Sequence, residues 1–436
     1  MRSYLLITTV DVARMANNRE HHLLRHIAPH FDQVYVVFRR KCEKAGWRQL
    51  LRDALVPGAR TEWRDGICYV EVNPLFNHAH GLAMAVAGTY EMHDAGDTRG
   101  RGWRQRVYRL FSGIGLWKDW STVAFLGLYA LRTVPGTVDV CTAMGPNGNA
   151  AAWLLRRLGK LRVWAYEDRD YEPGFFNTPL RHRAAAALEV ACLRRADLCI
   201  SIGHRLQRLR QQQSGREVAV VTTGVDVDRY TAPQRVPTRP VLVYTGNVTF
   251  WSGLERVIEA LPRIREALPG ATLLVVGDGL PGYVQGLQAL TRQLGVHDAV
   301  RFTGRVPNTQ IRDLLADAHL GVATFQPLEL RKYAFPLKVL EYMAAGLPSI
   351  GTEGTETEDI LRQHDCGVAV PYTAAAFAEA AIAMLGDPAR YQRLAAHARE
   401  SARQYDWHTL MAREHALLQQ AWLRRQPAAP APDRPA

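Results

Sequence analysis

Short runs of β-type residues alternate with longer amphipathic stretches along most of this chain, and that alternation constrains the fold more than any other feature. The runs are SYLLITTV (3–10), QVYVVF (33–38), VDVCTA (138–143) and RVWAYE (162–167), then PVLVYTG (240–246), ATLLVVG (271–277), AVRFTG (299–304), LGVATF (320–325) and LPSIGT (347–352). Strand, helix, strand in this order predicts parallel sheets with right-handed crossovers and helices on both faces. The pattern restarts at Pro240, after the Pro- and Arg-containing stretch TAPQRVPTRP (231–240). The 436 residues exceed one ordinary core. The expectation is therefore α/β: a Rossmann-like doubly wound domain over 1–236, a second over 237–400, a helix over 401–425 returning to the first domain, and a disordered Pro/Ala tail over 426–436.

Composition enters by exclusion. No apolar run of about 18 residues appears, so a spanning helix is not expected. MRSYLLITTV enters a strand-like run with no small-residue cleavage site, which reads as a cytoplasmic start. The six cysteines (42, 68, 141, 192, 199, 366) include no CxxC pair, so neither zinc nor a disulfide framework is expected from them. The net charge of +12 lies wholly in residues 1–236, which hold 34 Lys and Arg against 22 Asp and Glu. A basic half beside a neutral half suggests an anionic surface or acceptor. Nucleic acid is not the expected partner, since no basic motif of a known reader fold is present. Residues 72–135 read as irregular. Within them RGRGWRQRVYRLFSGIGLW (99–117) has five arginines, four aromatics and no acid. It fits either a helix at an anionic membrane surface or a solvated helix packed on its own domain.

The stretch AFPLKVLEYMAAGLPSIGT (334–352) carries the clearest chemistry. Pro336 suits the first turn of a helix, and Gly346 and Pro348 end it. The N–H groups of Leu337, Lys338 and Val339 would then lack intrahelical partners and form a site for an anion, phosphate above all. Lys338 adds a full charge there. Glu341 lies three residues on, about 4.5 Å along the axis and on the same face. Its carboxylate can accept from two neighbouring hydroxyls such as those of a ribose, so the pair describes a nucleoside diphosphate. An i,i+3 ion pair capping a core helix fits the same two residues.

Several strands of the second half end in glycine: YTGN (244–247), VVGDG (275–279) and FTGR (302–305). Ligands of doubly wound sheets bind beyond such strand ends, and glycine lets backbone approach them. GDGLPG (277–282) matches G-x-G-x-x-G, but the following strand ends Phe302-Thr303-Gly304 where a dinucleotide site needs an acid. A nicotinamide site is not expected.

These pieces in order, YTGN, VVGDG, FTGRVPNTQIRDLLADAHLGVATF, KVLEYMAAGLPSIGT, CGVAV and a late Trp407, resemble the second domain of the retaining family 4 glycosyltransferases of the GT-B fold. LEVACLRRADLCISIGHRL and VVTTGVDVDRY join the resemblance, which covers about residues 138–420. It implies two Rossmann-like domains facing a cleft, with a nucleotide-sugar donor on the second and an acceptor on the first. By the resemblance Glu341 is the later glutamate of the family's E-x7-E pair, the ribose binder. The earlier one falls at Tyr333, leaving its sugar contact to Glu329 or to backbone N–H groups. Asn247 and Ser252 stand where an arginine and a lysine hold the diphosphate, with Arg331 or Lys332 as helpers. The donor set read in this way is Gly246, Asn247, Gly277, Gly304, Arg305, Tyr333, Pro336, Leu337, Lys338, Val339 and Glu341.

On the first domain, the strand ends AMGPNGNAA (143–151) and YEDRDYEPG (166–174) supply Gly145, Asn147, Glu167, Asp168 and Asp170. Asn18 and Arg19 follow the first strand, where the family has a glycine-rich loop. These seven are the expected acceptor binders, with Asp168 as a candidate base; a solvated acidic loop fits the acids equally. Glu189 is expected in a structural ion pair. The expected catalytic residues are Lys338, Glu341 and Asp168. No metal or cofactor is expected, the nucleoside diphosphate sugar being a co-substrate. What the resemblance implies is transfer of a sugar with retention to a glycan or lipid-linked acceptor, in envelope or exopolysaccharide assembly, in the cytoplasm or peripherally at the inner membrane. A GT-B nucleotide-sugar epimerase and a non-catalytic sugar- or membrane-binding relative are the alternatives.

Overall fold

The computed structural model describes residues 1–14, 18–41, 47–77, 103–175, 179–230, 239–279 and 281–426, with only the backbone at 47, 49, 50 and 103–114. The chain forms two compact units. The first comprises Met1–Ile202, Leu206–Val221 and the chain from Met411 on; the second comprises Gly203–Arg205 and Thr222–Leu410. Residues 222–230 thus pack with the second unit, ahead of the expected 236/237 boundary, and the stretch 231–238 lies outside the described residues. The C-terminal helix runs Trp407–Arg424, later than the expected start at 401.

The first unit is built on an eight-stranded sheet in the order β3-β4-β2-β1-β5-β6-β7-β8. Its strands are β1 (Ser3–Thr8), β2 (Gln33–Arg39), β3 (Gly58–Arg64), β4 (Ile67–Asn73), β5 (Val138–Met144), β6 (Leu161–Asp168), β7 (Leu198–Ser201) and β8 (Ala219–Val220). All neighbours pair in parallel except β3 and β4, an antiparallel hairpin. The hairpin turns through Asp65 and Gly66, both at positive φ (51° and 78°), the geometry that an Asp-Gly pair favours. The central strands are covered on both faces, which is why β5 is buried at every position and why they read as unbroken Val, Ile and Leu runs. Each such side chain contributes about 1.5–3 kcal/mol on burial. Residues 72–135, expected to be irregular, include the end of β4 and the helix Trp103–Thr133. Val123, Leu126 and Ala130 of that helix enter the core at helical spacing, followed by Val134 just beyond its end. Most of the basic 99–117 segment lies outside the described residues or side chains.

The second unit has six strands, β9 (Val241–Thr245), β10 (Thr272–Val276), β11 (Val300–Gly304), β12 (Leu320–Ala323), β13 (Ser349–Thr352) and β14 (Gly367–Val370). Their order is β11-β10-β9-β12-β13-β14, all parallel. That is the doubly wound 3-2-1-4-5-6 order, whose direction reverses between β9 and β12. The carboxyl ends of those two strands, at Thr245 and Ala323, are where such a sheet opens a crevice for ligand.

Candidate functional site

The tips of β9, β10 and β11 are welded by backbone hydrogen bonds. Gly246 N–H donates to Val276 O (3.0 Å), Gly277 N–H to Gly304 O (3.1 Å) and Val248 N–H to Asp278 O (2.9 Å). Gly246 and Gly277 hold φ of 125° and 143°, a region closed to most side-chain-bearing residues. A Cβ at Gly277 would stand 1.9 Å from Gly246 O, and one at Gly279 1.8 Å from Val248 O. The strand-end glycines therefore form a floor of bare backbone. Gly246 and Asn247 are exposed on it.

Above this floor stands the helix Leu337–Ala344, entered through Pro336. Its apolar face (Val339, Leu340, Tyr342, Met343) is buried in the second unit's core, which fixes its rotation and leaves Lys338 and Glu341 half-buried on the other side. The Tyr342 hydroxyl accepts from Thr245 N–H (2.9 Å), anchoring the helix to the end of β9. The expected cradle of three N–H groups needs correction. Leu337 N–H donates to Phe335 O (3.2 Å) and Val339 N–H to Pro336 O (2.9 Å), because Pro336 at ψ 80° turns its carbonyl back onto the first turn. The Val339 side chain is wholly buried. The helix start thus offers an anion fewer free N–H groups than the sequence suggested, and side chains correspondingly more.

Those side chains are arranged on aromatic rings. The Lys338 Nζ lies 3.6 Å from the centre of the Tyr244 ring and 5.1 Å from that of Phe325. The Arg331 guanidinium lies 4.9 Å from the Trp251 ring and 5.5 Å from Phe325. Two cations thus share three aromatic faces, an arrangement that holds charge without neutralising it. Burial, with the neighbouring Arg331, lowers the Lys338 ammonium to about 7 against the pull of Glu341. Burial raises Glu341 to about 7, opposed by hydrogen bonding to Thr245, by Lys338 and Arg229, and by Tyr230. The Thr245 hydroxyl lies 3.4 Å from the Glu341 carboxylate. Among the described residues no ion pair joins Lys338 to Glu341, so the two act as separate groups on one face.

The remaining donor candidates scatter more widely. Gly304 sits at the β11 tip with φ 67°, and Arg305 beside it is exposed. Tyr333 closes the short helix Glu329–Tyr333 and is half-buried; Glu329 and Lys332 are exposed. Ser252, at one of the two positions where the resemblance leads to a basic residue, is wholly buried. Arg331, on the short helix Glu329–Tyr333 that precedes Lys338's own, supplies a cation nearby.

The first unit overturns three acceptor assignments. Arg19 is fully buried, bonding Glu167 (2.5 Å) and Glu414. Asp168 is 2% exposed and receives two bonds from Arg210 at 2.6 and 3.3 Å. Glu189 meets the same guanidinium at 2.7 Å. Burial works against the charge of Arg19 and Arg210, but their carboxylate neighbours outweigh it and raise both. A carboxylate so enclosed cannot reach an acceptor hydroxyl, so Arg19, Glu167 and Asp168 are structural, and Asp168 is no catalytic base.

Asn18, Gly145, Asn147 and Asp170 keep partial exposure. Gly145 opens the helix Gly145–Arg157 at φ 68°, and a Cβ there would lie 3.9 Å from the Thr9 hydroxyl just beyond β1. Asn147 and Pro146 line a cavity of about 130 Å³ with Leu116, Trp120, Val123 and Leu188. Arg181 and Asp119 stand at its wall, joined at 2.9 Å. Sequence reasoning missed Arg39 and Glu172 beside them. Glu172 is raised to about 7, by burial first and then by Asp170, with Arg39 opposing. Burial lowers Arg39, while Asp119 and Glu172 support its charge. An arginine ending β2, in the basic run Arg39-Arg40-Lys41, and a glutamate in a Pro-Gly turn gave no specific signal before folding. Among the described residues, the one cluster of three metal-capable side chains is His26, His30 and His415.

Residues 239–387, all within the second unit, match the family model described as glycosyl transferases group 1. Glycogen synthase of Mycobacterium tuberculosis is 32% identical over 200 residues, 44% of this chain and 46% of that one. The chain thus spans about half the length of the curated relatives it matches. Sucrose-phosphate synthase (tll1590) from Thermosynechococcus elongatus superposes with a TM-score of 0.70 at 16% identity, over 97% of this chain and 100% of that one. Anabaena Alr3699/HepE in complex with UDP superposes with a TM-score of 0.65 at 17% identity, over 96% and 100%. At such identities the likeness establishes the fold, GT-B: two α/β units, each on a doubly wound sheet.

Proposed function

We propose that this protein is a retaining glycosyltransferase that moves a sugar from a nucleoside diphosphate sugar to an acceptor hydroxyl. The observation that carries this reading is the Lys338 and Glu341 pair at the reversal point of the second sheet, one group suited to a diphosphate and the other to a ribose. The complex of HepE with UDP supports the donor class. As the sugar–phosphate bond breaks, negative charge grows on the leaving diphosphate, and stabilising it is the main electrostatic task. Lys338 and Arg331 meet that charge, while Glu341 grips the ribose diol and places the bond to be broken. The leaving diphosphate itself takes up the acceptor proton on the same face of the sugar, so no strong protein base is required. Glycosidic carbon–oxygen bond cleavage and formation balance, with the nucleoside diphosphate and one proton released.

For the acceptor, Lys118 and Arg181, 3.7 and 2.9 Å from Asp119, with Arg39 in the same electrostatic cluster and the apolar cavity adjoining, favour a molecule with a phosphate and an apolar portion, such as a lipid-linked saccharide. No helix among the described residues is long and apolar enough to cross a membrane; the reading is of a protein that meets such an acceptor at an anionic surface, as envelope or exopolysaccharide assembly would need.

The test is a panel of nucleoside diphosphate sugars offered to the purified chain with and without lipid-phosphate acceptors, following nucleoside diphosphate release and sugar transfer. Retention of label on a second molecule supports the reading. Interconversion of the donor sugar without transfer would replace it with an epimerase, and absence of both hydrolysis and transfer with every donor would sink it.

A further inference from the structure

The first helix, Arg19–Ile27, and the turn Ala28–His30 that continues it carry His26 and His30, about one helical turn apart. His415, on the helix Trp407–Arg424, packs against both. Its ring centre lies 4.2 Å from that of His30 and 5.9 Å from that of His26, and the His26 and His30 centres are 5.9 Å apart. One ring nitrogen from each of the three lies within 4.8 Å of the other two. Burial is graded: His415 is 6% exposed, His26 half-buried and His30 exposed. The Nε2 of His415 is buried with no hydrogen-bond partner. A buried imidazole nitrogen left without a partner is an unusual feature, and here it sits in the group that holds the two other imidazoles.

We propose that His26, His30 and His415 form a binding site for Zn²⁺ that ties the C-terminal helix to the first helix. Three imidazole nitrogens and a water make a tetrahedral Zn²⁺ shell with bonds of about 2.0–2.1 Å. Hard cations such as Mg²⁺ and Ca²⁺ take oxygen ligands and are not suited to it. Drawing the nitrogens together needs movement mainly of the His30 ring, the most exposed of the three, while His415 is buried. The metal would act as a clip, since none of the three residues belongs to the donor or acceptor sets, and Asn18 lies at the opposite end of the first helix. Immediately beside His415, Glu414 is held by the buried Arg19, so the clip and that ion pair secure the same turn.

The experiment titrates the metal-stripped full chain with ZnCl₂ by calorimetry and by melting temperature, with MgCl₂ in parallel. One equivalent of Zn²⁺ is expected to bind and to raise the melting temperature, with no shift from Mg²⁺. His30→Ala and His26→Ala should each weaken Zn²⁺ binding by about tenfold or more, since even outer partners of a metal ligand are worth 10–100-fold. Both variants should melt like the metal-free wild type, which keeps the result separate from misfolding, and nucleoside diphosphate binding should be unchanged. The chain has 15 histidines, so location matters as much as affinity. No Zn²⁺ binding, binding undiminished in both variants, or an equal effect of Mg²⁺ would each overturn the proposal.

Discussion

The Nζ of Lys338 rests 3.6 Å from the centre of the Tyr244 ring, so the helix's cation is carried by the strand immediately before the turn at Gly246. The ring holds the ammonium near the backbone floor with no ion pair to Glu341, and a phosphate can take it over with little rearrangement. Tyr244 is itself fixed by donating to Asn247 O at 2.7 Å.

Lys338→Ala is expected to lower turnover by about 10²–10³-fold, the scale of losing a donor to a developing charge. Nucleoside diphosphate affinity should fall less. Steady-state release of the diphosphate, set against calorimetric binding of the free nucleotide, measures the two. Equal losses would make Lys338 an ordinary binding group.

Arg331→Gln should raise the Lys338 pKa, because the guanidinium is one of the causes that hold it down. In wild type, Lys338 loses its proton as pH rises through about 7, so nucleoside diphosphate binding should weaken across neutrality. The variant should bind more weakly overall, with that weakening displaced to higher pH. Binding isotherms over a pH series read both effects; an undisplaced profile would remove Arg331 from the site.

Stability should carry the mark of the same pair. Lys338 has a folded pKa of about 7 against an ordinary 10.5. Between those values the unfolded chain binds more protons, so this group makes stability rise with pH there, and its full cost applies below about 7. Glu341 has a folded pKa of about 7 against 4.5. The folded protein binds the extra proton in that window, so Glu341 makes stability fall as pH rises from about 4.5 to 7. Lys338→Met should therefore stabilise by about 1–2 kcal/mol at pH 7 and below and flatten the rise above pH 7, as melting curves over pH would show.

Glu341→Ala should cost discrimination more than catalysis of the bond itself. Wild type is expected to prefer ribonucleoside diphosphates over their 2′- and 3′-deoxy counterparts by about 10-fold or more, since a charged hydrogen bond is worth roughly 1.5–3 kcal/mol. The variant should bind all three alike. Competition binding with the deoxynucleotides measures it.

In the first unit, Arg19→Met leaves Glu167 and Glu414 facing each other without their cation. A loss of about 3–5 kcal/mol in unfolding free energy is expected, as for other broken buried pairs, read by urea denaturation. A neutral result would mean that Arg19 is not the central cation of that cluster.

The donor helix was legible in the sequence because its signals are local: Pro336, Lys338, Glu341 and Gly346 lie within one short stretch, and helical periodicity puts the charged pair on one face. Tyr244, Trp251 and Phe325 were not legible as a cation platform, since in the sequence they look like ordinary strand and loop apolar residues. Arg19, Glu167 and Asp168 were misread because their partners are remote. Glu167 is 148 residues from Arg19, and Arg210 is 42 from Asp168, and no spacing rule reaches so far. The Asp65-Gly66 hairpin did have a local signal, a turn pair between alternating strands, that the reading passed over. The Pro336 carbonyl that turns back onto its own helix depends on one dihedral, which residue types alone do not set.

The welded strand tips have a consequence for how this protein can change over evolutionary time. Adding even a methyl group at Gly277 or Gly279 would place it 1.9 or 1.8 Å from a carbonyl oxygen, so neither position can drift without moving a neighbouring strand. On the proposed reading, differences in the ligand accepted would arise at the rim, through Asn247, Arg305 and the 329–333 segment, while the bare-backbone base resists substitution.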